Sequence, residues 1–400
     1  MAGDVASSAE AAGAWDGPAV LGLGCRPFFL GGALWAASAM ALWVPMIAGR
    51  LDLPSRFAPV DWHIHELLYG YVSATVAGFL LTAVPNWTGR PPVRGLPLLG
   101  LFLLWLAGRV AIFSSAAIGA VPAAVVDLAF LAVLAMVVVR EVALGRNQRN
   151  YKVAAILLVL FAANAAFHLE AAAGIGEGYG IRGGIGATIM LIVLIGGRVV
   201  PSFTRAYLVK LGGDRLPAPF GRFDVVAAIV AGITLFLWVA APGHPLTGLV
   251  AILAGLVHFG RLGRWRGERT VGEPLLLVLH VAYLFVPVGF LLVGIALFRP
   301  DTVPQSAAIH AWTAGAIGMM TLSVMARASL GHTGRPLVAT WPVTAVFGFA
   351  LLAGVLRIVA SLLHDTGMLL HLSALAWILA FAGFAVAVGP MLLRPRLDEG

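Results

Sequence analysis

Residues 62–66, Trp-His-Ile-His-Glu, put two imidazoles two positions apart beside a carboxylate, at the start of a run that is otherwise apolar. Neutral imidazole is a good ligand for copper and for the iron of non-covalently held haem. A neighbouring carboxylate can orient such a ring or carry a proton. On a helix, side chains two apart point about 200° away from each other. His63 and His65 are therefore expected to serve two neighbouring centres, or to divide into one ligand and one structural ring. Further candidates stand in apolar surroundings: His168 followed by Glu170, His258, His280, and His310. Ionisable groups at membrane depth are rare, costly and usually functional.

The elements that position these residues follow from composition. Hydrophobic residues make up 60% of the 400 and charged residues only 11%, and the mean hydropathy is +0.95. An integral membrane protein is expected, built from helices of about 20 residues, the length that crosses a hydrocarbon core of about 30 Å. Twelve such runs are present, at 27–49, 62–84, 95–115, 120–139, 152–174, 182–203, 222–241, 245–263, 274–298, 304–327, 341–363 and 370–393. They form one membrane domain over 26–394, between a mobile tail at 1–25 and a short tail at 395–400. The formal charge of +8 is unevenly spread. Nineteen of the 26 lysines and arginines fall in alternate connections with the two tails, and only Arg50, Arg56, Arg182 and Arg299 fall in the other set. By the positive-inside rule both termini are expected in the cytoplasm. The basicity is thus a topology signal, with no nucleic-acid footprint. The single cysteine, Cys25, excludes an internal disulfide, a thiolate iron-sulfur cluster and covalent c-type haem.

Helix direction converts position into depth. His63, His65, His168 and His310 are expected in one layer near the outer end, and His258 and His280 toward the other side. Three membrane-embedded arginines also need partners. Arg109 and Arg357 fall at the depth of the histidine layer and suit haem propionates; the alternatives for such arginines, Arg198 included, are a pair with Asp127 or snorkelling. Asn164 shares the helical face of His168, four residues on, and could orient its ring.

An internal repeat is visible. An offset of 245 residues lays His310 on His65, Gly315 on Gly70 and Thr333-Gly334-Arg335-Pro336 on Thr88-Gly89-Arg90-Pro91, seven identities in 27 positions. A second offset, of 116, lays Val200-Pro201-Ser202-Phe203-Thr204 on Val84-Pro85-Asn86-Trp87-Thr88. The expected architecture is all-α, with twelve transmembrane helices in pseudo-threefold four-helix repeats. It resembles the catalytic subunit of haem-copper oxidases, where histidines on the second and tenth helices hold the low-spin haem. His65 and His310 are the corresponding axial pair. The copper site of those oxidases has no counterpart here, because residues 181–238 contain no histidine.

Several stretches resemble the NnrS family: RPFFL at 26–30, WHIHELLYGY at 62–71, AVPNWTGRP at 83–91, NAAFHL at 164–169, GGRVVPSFT at 196–204, HAWTAGAIGMM at 310–320 and ARASLGHTGRPL at 326–337. The resemblance implies a bacterial inner-membrane protein that contains haem and copper and acts in denitrification and nitrosative-stress defence. The expected reading is a redox protein of nitric oxide chemistry. It holds b-type haem on His65 and His310, aided by His63, Arg109 and Arg357. His63 and His168 contribute to a second metal centre, His280 is a further metal candidate, and Glu66 and Glu170 are the candidate catalytic proton carriers. Its partners are nitric oxide, the bilayer and a quinol or other electron donor. The rival readings are a sensor that binds nitric oxide or metal without turnover, and a transporter of haem, copper or a small anion.

Overall fold

The computed structural model describes residues 15–146, 148–176, 178–364 and 367–397. Within the expected tails, residues 1–14 and 398–400 lie outside that description. Among the described residues there is no strand, and twelve helices are long and apolar enough to cross a membrane. They are α1 Cys25–Ile47, α2 Pro59–Thr88, α3 Leu96–Phe113, α4 Ala120–Leu144, α5 Tyr151–Ala173, α6 Tyr179–Lys210, α7 Arg222–Ala240, α8 Pro245–Gly263, α9 Pro274–Phe298, α10 Gln305–His332, α11 Trp341–Leu362 and α12 Met368–Leu393. In hydrocarbon only a helix or a closed barrel satisfies every backbone N–H and C=O internally, so long apolar runs leave the chain little other choice. This is a multi-pass membrane protein.

Local chemistry sets the ends. Pro59, Pro245 and Pro274 open α2, α8 and α9, where the missing N–H is an orphan anyway. Gly89 closes α2 at φ +67°, and Gly334 turns the chain after α10 at φ +71°. Both belong to the repeated Thr-Gly-Arg-Pro stop, and left-handed backbone there favours glycine. Four helices outrun their expected C-terminal ends by four residues or more: α2 to Thr88, α4 to Leu144, α6 to Lys210 and α10 to His332. Pro85 and Pro201 do not stop α2 and α6, because a proline near a helix end removes one backbone bond without forcing the chain out of a membrane helix.

Three helices carry π-helical segments: Glu66–Tyr71 in α2, Ile192–Gly196 in α6 and Ala311–Gly318 in α10. Those in α2 and α10 start one residue after His65 and after His310. A π segment widens the helix and leaves carbonyls free for other donors, which is why such turns concentrate at functional positions. In α2 the freed Gly70 carbonyl accepts from Trp105 Nε1 at 2.9 Å.

The chain divides into two compact units. The first comprises residues 1–184, 327–336 and 384–400, and the second 185–326 and 337–383. In the first unit α1 packs against α3 and α4 at Phe28, whose ring lies 5.6 Å from Phe102 and 5.7 Å from Phe130. Arg26 is buried there, its guanidinium donating to the carbonyls of Leu392 and Arg394 at 3.2 and 2.6 Å. The second unit is centred on Trp238, Phe290 and Trp312, with ring centroids 5.0 Å apart at each step. Exposed leucine, valine and phenylalanine cover the outward helix faces, Leu103, Val125 and Phe236 among them, as lipid contact requires.

Candidate metal centre

In the first unit the N-terminal parts of α2 and α4 meet the C-terminal parts of α3 and α5, and each brings an ionisable residue. His65 and Glu66 come from α2, Arg109 from α3, Asp127 from α4 and His168 from α5. The atoms His65 Nε2, Asp127 Oδ2 and His168 Nε2 converge; one ligand atom from each residue lies within 4.8 Å of the others. His65 Nε2 is 3.2 Å and His168 Nε2 3.0 Å from Asp127 Oδ2. The Asn164 amide donates to that same oxygen at 2.8 Å.

The surroundings hold this group rigidly. Glu66 Oε1 faces His65 Nδ1 at 2.9 Å. Arg109 donates to both Glu66 oxygens at 2.8 Å and, through its other terminal nitrogen, to Asp127 Oδ1. Trp35 Nε1 donates to Glu66 Oε2 at 2.7 Å. The guanidinium can sit here because Gly70 has no side chain: a Cβ at that position would stand 2.6 Å from Arg109 Nη1 and 3.0 Å from Glu66 Oε2. Gly108 similarly admits Asp127, whose Oδ1 would lie 3.2 Å from an added Cβ. Phe57, on the connection before α2, covers the two rings at centroid distances of 5.2 Å from His65 and 5.7 Å from His168. Ser115 ties that connection down by accepting from the Arg56 amide at 2.8 Å.

Two observations show that the group fits a cation. Glu66 and Asp127 bring two carboxylates against one guanidinium, and His65 is 0% exposed, so a buried cluster of this composition lacks one positive charge. Three nitrogens also crowd Asp127 Oδ2, which has two lone pairs. A proton on an imidazole or a metal ion between the rings supplies the missing charge. Two histidines and one carboxylate with remaining positions open are a donor set of first-row transition metals.

The other sequence candidates lie elsewhere. His63 stacks on Trp43 at 4.1 Å, away from the cluster, as its position around the helix requires. Glu170 accepts from the Tyr179 and Gly180 amides at 2.7 and 3.0 Å and caps the start of α6. Asn164 acts on His168 through Asp127 rather than directly. In the second unit, His310 Nδ1 donates to the Ser306 carbonyl at 2.7 Å, which leaves Nε2 as the ring's lone-pair nitrogen. Arg357 donates to Ser361 Oγ at 3.0 Å, and Arg198 lies over the Phe220 ring at 5.9 Å. Thr204 Oγ1 donates to the Val200 carbonyl and must therefore accept from His280 Nε2, at 2.8 Å. His280 Nδ1 is buried without a hydrogen-bond partner.

The family model described as NnrS protein matches residues 19–396. The chain belongs to the NnrS family. No curated protein and no solved structure matches it. Family membership makes it a membrane protein of the nitric oxide response. In this NnrS-family chain the central carboxylate of the cluster, Asp127, was expected only as an arginine's partner. Its signal was nevertheless present: a lone carboxylate eight residues into an apolar helix demands a buried counterpart.

Proposed function

We propose that the chain holds a first-row transition-metal ion, copper or iron, on His65, Asp127 and His168, and binds nitric oxide there. The observation that carries this reading is the convergence of two imidazole nitrogens and a carboxylate oxygen in a buried cluster short of one positive charge. When bound, the ion supplies an electron-accepting centre for a diatomic ligand. The chain's own residues do the rest. Glu66 keeps the Nδ1 proton on His65 and so directs Nε2 toward the ion, the role carboxylates play behind metal-bound imidazoles. Asn164 and Arg109 fix the two Asp127 oxygens. Phe57 and Phe167, each within 5.4 Å of the His65 ring, keep water out while admitting a small apolar gas.

A haem on His310 is a second element of the reading. Its support is the Nδ1–H bond to Ser306, which fixes the tautomer with Nε2 available, and the π turn that begins beside it as it does beside His65. The bias of basic residues supports cytoplasmic termini in the inner membrane, which puts the cluster near the periplasmic face. A quinol is the proposed electron donor for turnover.

Metal analysis and EPR of the purified protein test the assignment. The expected result is one tightly held copper or iron that His168→Ala and Asp127→Asn both lose while any Soret absorption stays. A full complement of metal in both variants would sink it. Anaerobic consumption of nitric oxide by the reduced protein, with nitrous oxide formed, is expected if the centre turns over; binding without loss of the gas assigns a sensor.

A further inference from the structure

The second unit contains a buried group that the metal centre does not use. Tyr283, on α9, is 0% exposed, and its hydroxyl lies 2.9 Å from His258 Nδ1 and 2.9 Å from Arg261 Nη1, both on α8. The proton positions follow from the partners. His258 Nε2 is 3.1 Å from the Ala227 carbonyl, which only accepts, so Nε2 carries the hydrogen and Nδ1 is the lone pair. Tyr283 therefore donates to His258 and accepts from Arg261. The guanidinium is itself anchored by Asp224 Oδ1 at 2.9 Å and the Val193 carbonyl at 3.0 Å. It packs so close to Gly197 that a Cβ there would lie 2.2 Å from Nη2.

Such a phenol faces a base on one side and a fixed cation on the other. Among the described residues, the group that faces Nε2 is an amide carbonyl, which cannot take up a proton, so a proton that reaches Nδ1 has no protein base there to pass to. The arrangement is thus a poor proton conductor but suits a proton that moves out and back as an electron leaves and returns. Aromatic neighbours offer that electron a route. Trp265 lies 4.4 Å from Tyr283. On the other side Phe290 stacks on His258 at 5.6 Å, with Trp312 and then Trp238 following at 5.0 Å steps. All of these rings are buried.

We propose that Tyr283 is a one-electron relay whose phenolic proton passes to His258 Nδ1. The Tyr283 O–H bond breaks, an N–H bond forms at Nδ1, and one electron leaves to a one-electron oxidant. A small, uncharged radical oxidant such as nitrogen dioxide suits a buried site lined by aromatic rings; it takes the electron and becomes nitrite. Return of one electron from a reductant of the quinol class sends the proton back and restores the phenol. The choice of nitrogen dioxide rests on the nitric oxide reading above, whereas the relay does not.

The test uses the full chain in detergent micelles with photogenerated tris(bipyridine)ruthenium(III) as oxidant, freeze-quenched for EPR. A tyrosyl radical is expected in the wild type, lost in Tyr283→Phe and kept in Tyr151→Phe and Tyr179→Phe, whose side chains are 43% and 44% exposed. Formation in His258→Gln should be slower by about a hundredfold, the contribution of a positioned proton acceptor. A merely structural tyrosine would show no such dependence. ENDOR of the wild-type radical in D2O should find, beside the deuteron that Arg261 donates, a second exchangeable deuteron hydrogen-bonded to the phenoxyl oxygen from His258 Nδ1, which needs no variant to fold. A radical that survives Tyr283→Phe, or one without that coupling, overturns the proposal. His168→Ala should leave the signal unchanged, so failure of the metal centre and failure of the relay are separable.

Discussion

At the scale of single residues, the sign of a substitution in the cluster depends on charge balance. Asp127→Asn removes a ligand but leaves Arg109 paired with Glu66, so the apo protein is expected to keep its thermal midpoint while losing the metal. Arg109→Met is the opposite case. It strands two buried carboxylates, and breaking a buried pair costs about 3–5 kcal/mol, read as a clearly lowered unfolding midpoint in detergent. Equal midpoints for these two variants would show that the cluster is not short of positive charge. Glu66→Gln tests the outer partner of His65: loss of a carboxylate behind a metal-bound imidazole lowers metal affinity by about 10–100-fold, measurable by competition with a chelator.

At the scale of elements, the site depends on a π segment and two close backbone approaches. Gly70→Ala places a methyl 2.6 Å from Arg109 Nη1 without touching a ligand. The guanidinium must withdraw, Asp127 loses an anchor, and metal affinity is expected to fall while helix content by circular dichroism is retained. Gly334 is different, because its constraint is conformational. At φ +71° an L residue is disfavoured by about 1–2 kcal/mol, so Gly334→Ala should lower thermal stability and leave metal content intact. Helical spacing indicated that His63 and His65 diverge, and they do: one meets Trp43, the other Asp127. Spacing along α5 put Asn164 beside His168 but could not show that a carboxylate from α4 stands between them.

At the scale of the molecule, the proposed metal site couples binding to stability. A ligand that binds only the folded state stabilises it by about 2.7 kcal/mol at a hundredfold excess over its dissociation constant. Added copper or iron should therefore raise the midpoint of the apo protein in a concentration-dependent way, and Asp127→Asn should abolish that rise. Topology is open to the same kind of check. Reporter fusions at either end of the chain should be active only as cytoplasmic reporters if the distribution of arginines sets orientation.

Sequence alone determined the class of fold, because apolar runs of bilayer length can satisfy their backbones only as helices, and twelve such helices are present. Family membership was legible too, through motifs spread over most of the chain. Most of the residues that now form the candidate centre carried a signal as ionisable groups in apolar surroundings. Their partners did not. That Asp127 joins His65 to His168, that Arg109 spans Glu66 and Asp127, and that Tyr283 points at His258 rather than at lipid are facts about neighbouring helices. Lateral packing and rotation of one helix against the next leave no periodic trace along a single chain, so only the tertiary structure could decide them.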